Sequence, residues 1–202
     1  MAKKTIEQIA DANNSEKIIP QSEDKENFEY AVSIVLQNEG GYVNHKNDKG
    51  GATKYGISLN FLKANRIDIN KDGIIDNNDV MILDIQTAKQ IYYDNFWRKA
   101  KCNLITDKHL ASNVLDTAVM SGVSKAIKLL QQSLNKLGAN LSVDGVLGQK
   151  TIDALVKQDP VILNNTLVNE RISYYESIAI TNPTQKVFLR GWINRAKRFL
   201  IQ

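Results

Sequence analysis

Residues 28–41 read Phe28-Glu29-Tyr30-Ala31-Val32-Ser33-Ile34-Val35-Leu36-Gln37-Asn38-Glu39-Gly40-Gly41. Phe28, Ala31, Val32, Val35, Leu36 and Glu39 recur at helical spacing, and the two glycines stop the helix. This leaves a carboxylate at the last turn of an apolar helix. It faces the negative end of the helix dipole there, and burial beside the apolar face opposes its ionisation as well. A carboxyl group kept partly protonated near neutral pH is what a general acid requires. The segment 42–57 that follows is rich in Asn, Asp and Gly, so it is a loop or a small hairpin. It carries Asp48, where ionisation is unopposed, and then Thr53 and Tyr55. Two carboxylates whose environments push their pKa values apart form the pair used in glycoside hydrolysis, although Glu and Asp pairs at such spacing are common.

Outward from this stretch the signals are helical. A short helix is expected over 58–65 and an amphipathic one over 87–97. Asp107 caps a helix running to Met120, and another runs from Ser124 to Leu137. A shorter one covers 148–157, Pro160 opens a long helix towards Ile180, and 185–201 closes the chain. On that last helix Val187, Phe188, Trp192, Ile193, Ala196, Phe199 and Leu200 share one face. No series of alternating strands is present, so the expected fold is mainly α with one loop-rich region after the first long helix. Residues 1–26 are polar, lack a sustained apolar period and are interrupted by Pro20, which reads as a flexible tail or at most a short helix near Thr5–Asn13.

Composition narrows the function classes. The chain has 202 residues, 43% hydrophobic and 24% charged, which is ordinary for a folded domain with a real core. One cysteine excludes a disulfide framework and most zinc sites, and no run of 18 apolar residues is present to span a membrane. The N-terminus lacks the apolar segment of a secretory signal, so synthesis in the cytoplasm is expected, with export by another route. Net charge is +4, unevenly spread. Residues 1–27 carry four Lys against six Asp and Glu, a net of −2, and no acidic residue follows Glu176. A basic patch of this kind is either a solvated face or a docking surface for a polyanion: nucleic acid, acidic lipid or bacterial wall polymer.

A second constellation occupies 68–79, Asp-Ile-Asn-Lys-Asp-Gly-Ile-Ile-Asp-Asn-Asn-Asp. Oxygen donors fall at loop positions 1, 3, 5, 9 and 12 (Asp68, Asn70, Asp72, Asp76 and Asp79). Gly73 supplies the sharp turn, and Ile74 would offer its backbone carbonyl. The spacing fits one structural Ca2+, with Asp79 standing where an EF-hand has a bidentate Glu. Dockerin-type loops, which this resembles, accept Asp there. The alternative is a solvated acidic turn. No metal is expected to take part in the chemistry.

The run Glu39-Gly40-Gly41-Tyr42-Val43-Asn44, followed by Asp48-Lys49-Gly50-Gly51-Ala52-Thr53-Lys54-Tyr55-Gly56-Ile57, resembles the opening of glycoside hydrolase family 108. These are lysozyme-like N-acetylmuramidases, some labelled secretion activators. Ile91-Tyr92-Tyr93-Asp94-Asn95-Phe96-Trp97 resembles the family's Tyr-Trp helix, and Leu115-Asp116-Thr117-Ala118-Val119-Met120-Ser121-Gly122 its central helix. Met120-Ser121 departs from the polar pair usual before that glycine. The resemblance implies a lysozyme-like helical fold, Glu39 as general acid, and Asp48 with Thr53 across the cleft. Tyr42 and Tyr55 would be cleft-wall residues; His45 lies in the same loop and is a further candidate to line the cleft. Asp116 is either a groove residue or a carboxylate satisfied in the core.

Val143-Asp144-Gly145-Val146-Leu147-Gly148-Gln149-Lys150-Thr151-Ile152 resembles a small helical peptidoglycan-binding module. The expected organisation is therefore a tail (1–26), a catalytic region (27–121) and a helical wall-binding-like region (122–202) packed into the same globule. The function implied is hydrolysis of the β-1,4 bond between N-acetylmuramic acid and N-acetylglucosamine. The alternatives are a lytic transglycosylase on the same bond and a non-catalytic wall-binding protein. Bacterial peptidoglycan is the expected partner of a monomer acting in the periplasm or wall, with a holin or delivery machinery to carry it there and no role for nucleic acid. His45 and His109 lack the company of a transition-metal site, Cys102 has no base beside it, and Trp97 and Trp192 read first as core.

Overall fold

The computed structural model describes residues 21–37 and 51–202. The first helix, α1 (Gln21–Gln37), begins well before the apolar run that announces it in sequence. Glu23 and Asp24 in its first turn suit the positive end of the helix dipole. Asp24 is also buried, accepting hydrogen bonds from Trp97 Nε1 at 2.7 Å and Tyr93 OH at 2.9 Å. The boundary expected at residue 26 therefore moves: 21–26 belong to the folded body, tied to a helix some seventy residues away. The rest of the expected tail, 1–20, lies outside the described residues.

From Gly51 the described chain continues into a hairpin of two short antiparallel strands, β1 (Thr53–Lys54) and β2 (Ile57–Ser58), in the register Thr53–Ser58 and Lys54–Ile57. Its two-residue turn, Tyr55-Gly56, has positive φ at both positions, 51° and 73°, as a hairpin matched to the right-handed strand twist requires. Glycine takes this conformation freely and tyrosine does not. Tyr92 OH compensates by donating to the Tyr55 carbonyl at 2.8 Å. Ser58 then caps α2 (Leu59–Asn65), its Oγ accepting from Phe61 N. Asp76 caps α3 (Asn77–Ile82) and Asp84 caps α4 (Ile85–Tyr92), which runs into a π-turn over Tyr93–Trp97.

The remaining helices are α5 (Lys108–Ser121), α6 (Val123–Lys136), α7 (Gln149–Leu155), α8 (Pro160–Thr181) and α9 (Lys186–Lys197). The fold is mainly α. Helix α5 is the axis: every position from Leu110 to Ala118 is buried, so it has neighbours on all sides. Helices α1, α6 and α8 surround it, and α9 lies against α8. One hydrophobic core runs from Phe28 through Trp97 and α5 to Leu155 and Leu167. It takes in both regions read from the sequence.

Four polar side chains of α5 are buried in this core. Ser112 and Thr117 return their hydroxyls to carbonyls one turn back, Lys108 and Asn113. Asn113 donates to Asn164 Oδ1 at 2.9 Å, and Asn164 donates to the Phe199 carbonyl at 2.6 Å. Asp116 is fully buried between two arginines. One carboxylate oxygen takes Arg171 Nη2 at 2.5 Å, and the other takes Arg195 Nε at 2.9 Å and Nη2 at 2.8 Å. Arg171, also fully buried, donates to Asn113 Oδ1 at 2.5 Å. The reading of Asp116 as a groove residue is thereby corrected. It has no solvent face, and both its oxygens are committed to ion pairs. The face shared by the apolar residues of the closing helix is only partly covered: Ala196 and Phe199 are buried, while Val187 and Phe188 are 76% and 52% exposed.

Breaking a buried ion pair from one side strands the other charge, which costs about 3–5 kcal/mol. Asp116→Ala should therefore lower unfolding free energy by that order, measured by urea titration. Asp116→Leu combined with Arg171→Met should recover a large part of the loss, because no buried charge is left at the Arg171 position.

Candidate active site

Of the residues proposed for chemistry or substrate contact, Glu39, Tyr42, His45 and Asp48 lie outside the described residues. What the structure does place is the frame on either side of them. The described part of α1 ends at Gln37, two positions before Glu39, and its buried face (Ala31, Val32, Val35) holds it against the core. On the far side the chain re-enters at Gly51, and the hairpin presents Thr53 and Tyr55. Thr53 is half-buried at the start of β1, its hydroxyl 3.4 Å from the Gly51 carbonyl. Tyr55 is half-buried at the turn, with the Lys54 ammonium 5.6 Å from its ring centre. Thr53 and Tyr55 share one hairpin; Asp116 is not part of that group.

Two anchors fix the hairpin. Tyr92 OH holds its turn, as described above. Lys54 Nζ donates to the Met81 carbonyl at 2.7 Å, tying the first strand to the last turn of α3. Sequence reading treated the Tyr-Trp helix as a single motif, but it divides its labour. Tyr92 holds the hairpin, whereas Tyr93 and Trp97 hold the start of α1 through Asp24. Both sides of the segment 38–50 are thus fastened to one helix. Nothing local to Asp24 signalled its part, because its partners lie about seventy residues away.

The 68–79 loop is fully described and packs beside this hairpin. Its carboxylates are directed at its own backbone. Asp68 accepts from Lys71 N at 2.7 Å and Gly73 N at 2.8 Å, and Asp72 accepts from Ile74 N at 2.8 Å. Asn70 accepts from Asp72 N and donates to Asp72 Oδ2, and Asp76 caps α3. Asp79 is fully buried and closes a capping box: Oδ1 accepts from Ile69 N at 2.7 Å and Asn70 N at 3.3 Å, Oδ2 from Asp76 N at 2.8 Å. Among the described residues no three His, Cys, Asp or Glu side chains come together to hold a metal ion. The donors are present at calcium spacing, and in this arrangement the Asp68, Asp72, Asp76 and Asp79 carboxylates accept backbone N–H groups of the loop.

Burial alone would raise the Asp79 carboxyl pKa, but the N–H groups of Asp76, Ile69 and Asn70 outweigh it and hold the pKa below its ordinary value. Cys102 is fully buried, and burial pushes its thiol far up, so it is inert as a nucleophile.

In the C-terminal region the Asp144-Gly145 turn is built on a residue the sequence reading did not single out. Buried Gln131 donates to Asp144 Oδ1 at 2.8 Å and to the Val146 carbonyl at 3.0 Å, and accepts from Gly145 N at 2.9 Å. Gly145 has φ 83°, and a Cβ there would lie 2.4 Å from Ser124 Oγ and 2.9 Å from the Ser124 carbonyl. Only glycine lets this turn sit on the start of α6.

Comparison with known proteins places this geometry. Residues 32–122 match the model of the family described as glycosyl hydrolase 108, and residues 125–197 match that of a predicted peptidoglycan domain. No curated protein matches the chain. A solved structure, that of Brucella abortus SagA, is 31% identical, with a TM-score of 0.71 over 87% of this chain and 92% of its own. The chain belongs to glycosyl hydrolase family 108. As a family 108 member with a peptidoglycan domain it is a glycoside hydrolase acting on peptidoglycan. Among the described residues of this hydrolase no helix is long and apolar enough to cross a membrane.

A carboxyl whose pKa is depressed by folding stabilises the fold above its unfolded pKa, about 3.9 for Asp, and loses that contribution as pH falls towards the folded value. Asp79→Asn should therefore cost about 1–3 kcal/mol at pH 7, the penalty of poorly satisfied buried N–H groups. In urea titrations across pH, the gap from wild type should close below about pH 4. A gap independent of pH would show that the ionised carboxylate is not what holds the loop.

Proposed function

We propose that the protein is an N-acetylmuramidase that cleaves the β-1,4 bond between N-acetylmuramic acid and N-acetylglucosamine. One observation carries this reading: the Glu39–Gly40–Gly41 sequence follows an α1 packed into the core, and the chain after it returns in the anchored hairpin that carries Thr53 and Tyr55. In this reading Glu39 protonates the leaving oxygen. Asp48, ionised, steadies the oxocarbenium-like transition state or directs water, and the Thr53 hydroxyl positions that water. Tyr42, His45 and Tyr55 contact sugar. The supports are the family, the sequence pattern that sets a carboxylate after an apolar helix, and the double anchoring of the hairpin that carries Thr53 and Tyr55. We propose too that the protein acts as a monomer in the bacterial periplasm or wall, reaching it by holin release or a delivery machine.

Muropeptide mass spectrometry tests bond, reaction and acid together. Wild type should release reducing muramic ends from purified sacculi. Glu39→Gln should lower the rate by at least about a hundredfold, the usual contribution of a general acid, with an unchanged melting temperature. Anhydro-muramic ends would make it a lytic transglycosylase, and a Glu39→Gln variant that lyses walls like wild type would contradict the assignment.

Calcium at the 68–79 loop is a separate proposal. The spacing of Asp68, Asn70, Asp72, Asp76 and Asp79 supports it. Binding would draw on Asp68, Asn70, Asp72, Asp76 and the Ile74 carbonyl, with Asp79 recruited only by giving up its capping bonds. It predicts a melting temperature that falls in EDTA and returns with added calcium. A temperature indifferent to both leaves the loop as a turn closed by its own hydrogen bonds.

A further inference from the structure

Among the described residues, four other than glycine have left-handed backbone: Tyr55, Arg66, Lys71 and Lys101. Arg66 closes α2, Lys71 lies in the 68–79 loop and Lys101 precedes a short 3-10 turn. Each of these three carries a long cationic side chain. Tyr55 alone of the four is aromatic, and it opens a hairpin turn. Asn or Gly would take that first turn position at lower cost. With φ of Tyr55 relaxed to a negative value and Gly56 still positive, the torsions become those of a type II turn, which splays the strands it joins.

The base of the hairpin is fixed to the core. Ala52 and Ile57 are buried, and Leu59 N donates to the Ala52 carbonyl at 2.9 Å. The turn is held from outside, by Tyr92 OH on the Tyr55 carbonyl at 2.8 Å. That hydroxyl projects from a packed aromatic cluster. The Tyr92 ring is buried 5.8 Å from Phe96, which stacks on Phe61 of α2 at 5.5 Å. Lys54, the other anchor, reaches the Met81 carbonyl through a flexible side chain and sets no torsion at Tyr55. The tyrosine thus brings a ring to a place where the backbone alone favours Asn or Gly, and the fixed hydroxyl offsets the cost.

We propose that Tyr92 is a positioning residue of the active site. Its hydroxyl holds Tyr55 in the left-handed conformation, which aims the Tyr55 ring and keeps the register that places the Thr53 hydroxyl. The inference rests on the muramidase reading, in which Tyr55 contacts sugar and Thr53 positions water.

A double-mutant cycle of Tyr92→Phe and Tyr55→Asn tests it, with kcat/KM measured on soluble peptidoglycan fragments. Tyr92→Phe keeps the ring and its packing and removes the hydroxyl. Alone it should lower kcat/KM about tenfold, the order expected of a small misplacement of reacting groups. Tyr55→Asn loses the ring and should lower kcat/KM by itself. Asparagine adopts positive φ readily, so in that background Tyr92→Phe should cost less than about twofold. Equal losses in both backgrounds assign Tyr92 to core packing and overturn the proposal. A Tyr92→Phe enzyme with wild-type kcat/KM overturns it as well, and leaves the muramidase reading standing. A wild-type chain that releases no reducing muramic ends overturns that reading and the proposal with it.

Discussion

The carboxylate of Asp116, held between Arg171 and Arg195, is the constraint on which the rest of the structure depends. It is fully buried on α5, and its partners come from α8 and α9. The glycosyl hydrolase match ends at residue 122 and the peptidoglycan-domain match begins at 125, so these ion pairs join the two matched regions. Such a network is stabilising only when complete. Asn113, Asn164 and the Phe199 carbonyl extend it to the end of the chain, and the Arg171 guanidinium lies 5.2 Å from the Phe199 ring centre. The consequence for function is positional. The axis helix that supports α1 is fastened by these ion pairs to α8 and α9.

A second set of long-range bonds holds α1 and the hairpin, the described elements on either side of residues 38–50 in sequence. Asp24 ties the start of α1 to Tyr93 and Trp97, while Tyr92, on the same stretch of helix, holds the turn at Tyr55. Hydrolysis of a sugar polymer requires an acid and its partner at a fixed separation, and rigid elements on both sides are how a chain sets one. The buried carboxylate of Asp79 and the Lys54–Met81 bond extend that rigidity to the loop beside the hairpin.

Much of the fold was legible because its signals are local. Ser58, Asp107 and Pro160 announced the starts of α2, α5 and α8 through capping and proline chemistry, and the glycine-rich stretch after Glu39 announced the hairpin. What was not legible depended on partners remote in sequence. Asp24 looked like part of a polar tail because its partners, Tyr93 and Trp97, are far along the chain. Gln131 carried no motif, yet it organises the Asp144–Gly145 turn. Asp116 was open between groove and core, since a carboxylate in a helix does not reveal whether arginines will surround it. Periodicity put Val187 and Phe188 on one face with Ala196 and Phe199, but it reports which residues share a face, not how much of that face a neighbouring helix covers. The calcium-type spacing of 68–79 was fully visible, but not the direction of its oxygens, because short carboxylates compete for nearby backbone N–H groups.

The central claim is that the two matched regions form one cooperative body, joined by the buried ion pairs and the shared core. Calorimetry of the intact protein tests it most directly. A single transition is predicted, with the calorimetric and van't Hoff enthalpies equal. Two resolved transitions, with the C-terminal region melting independently of the region around α1, would contradict it.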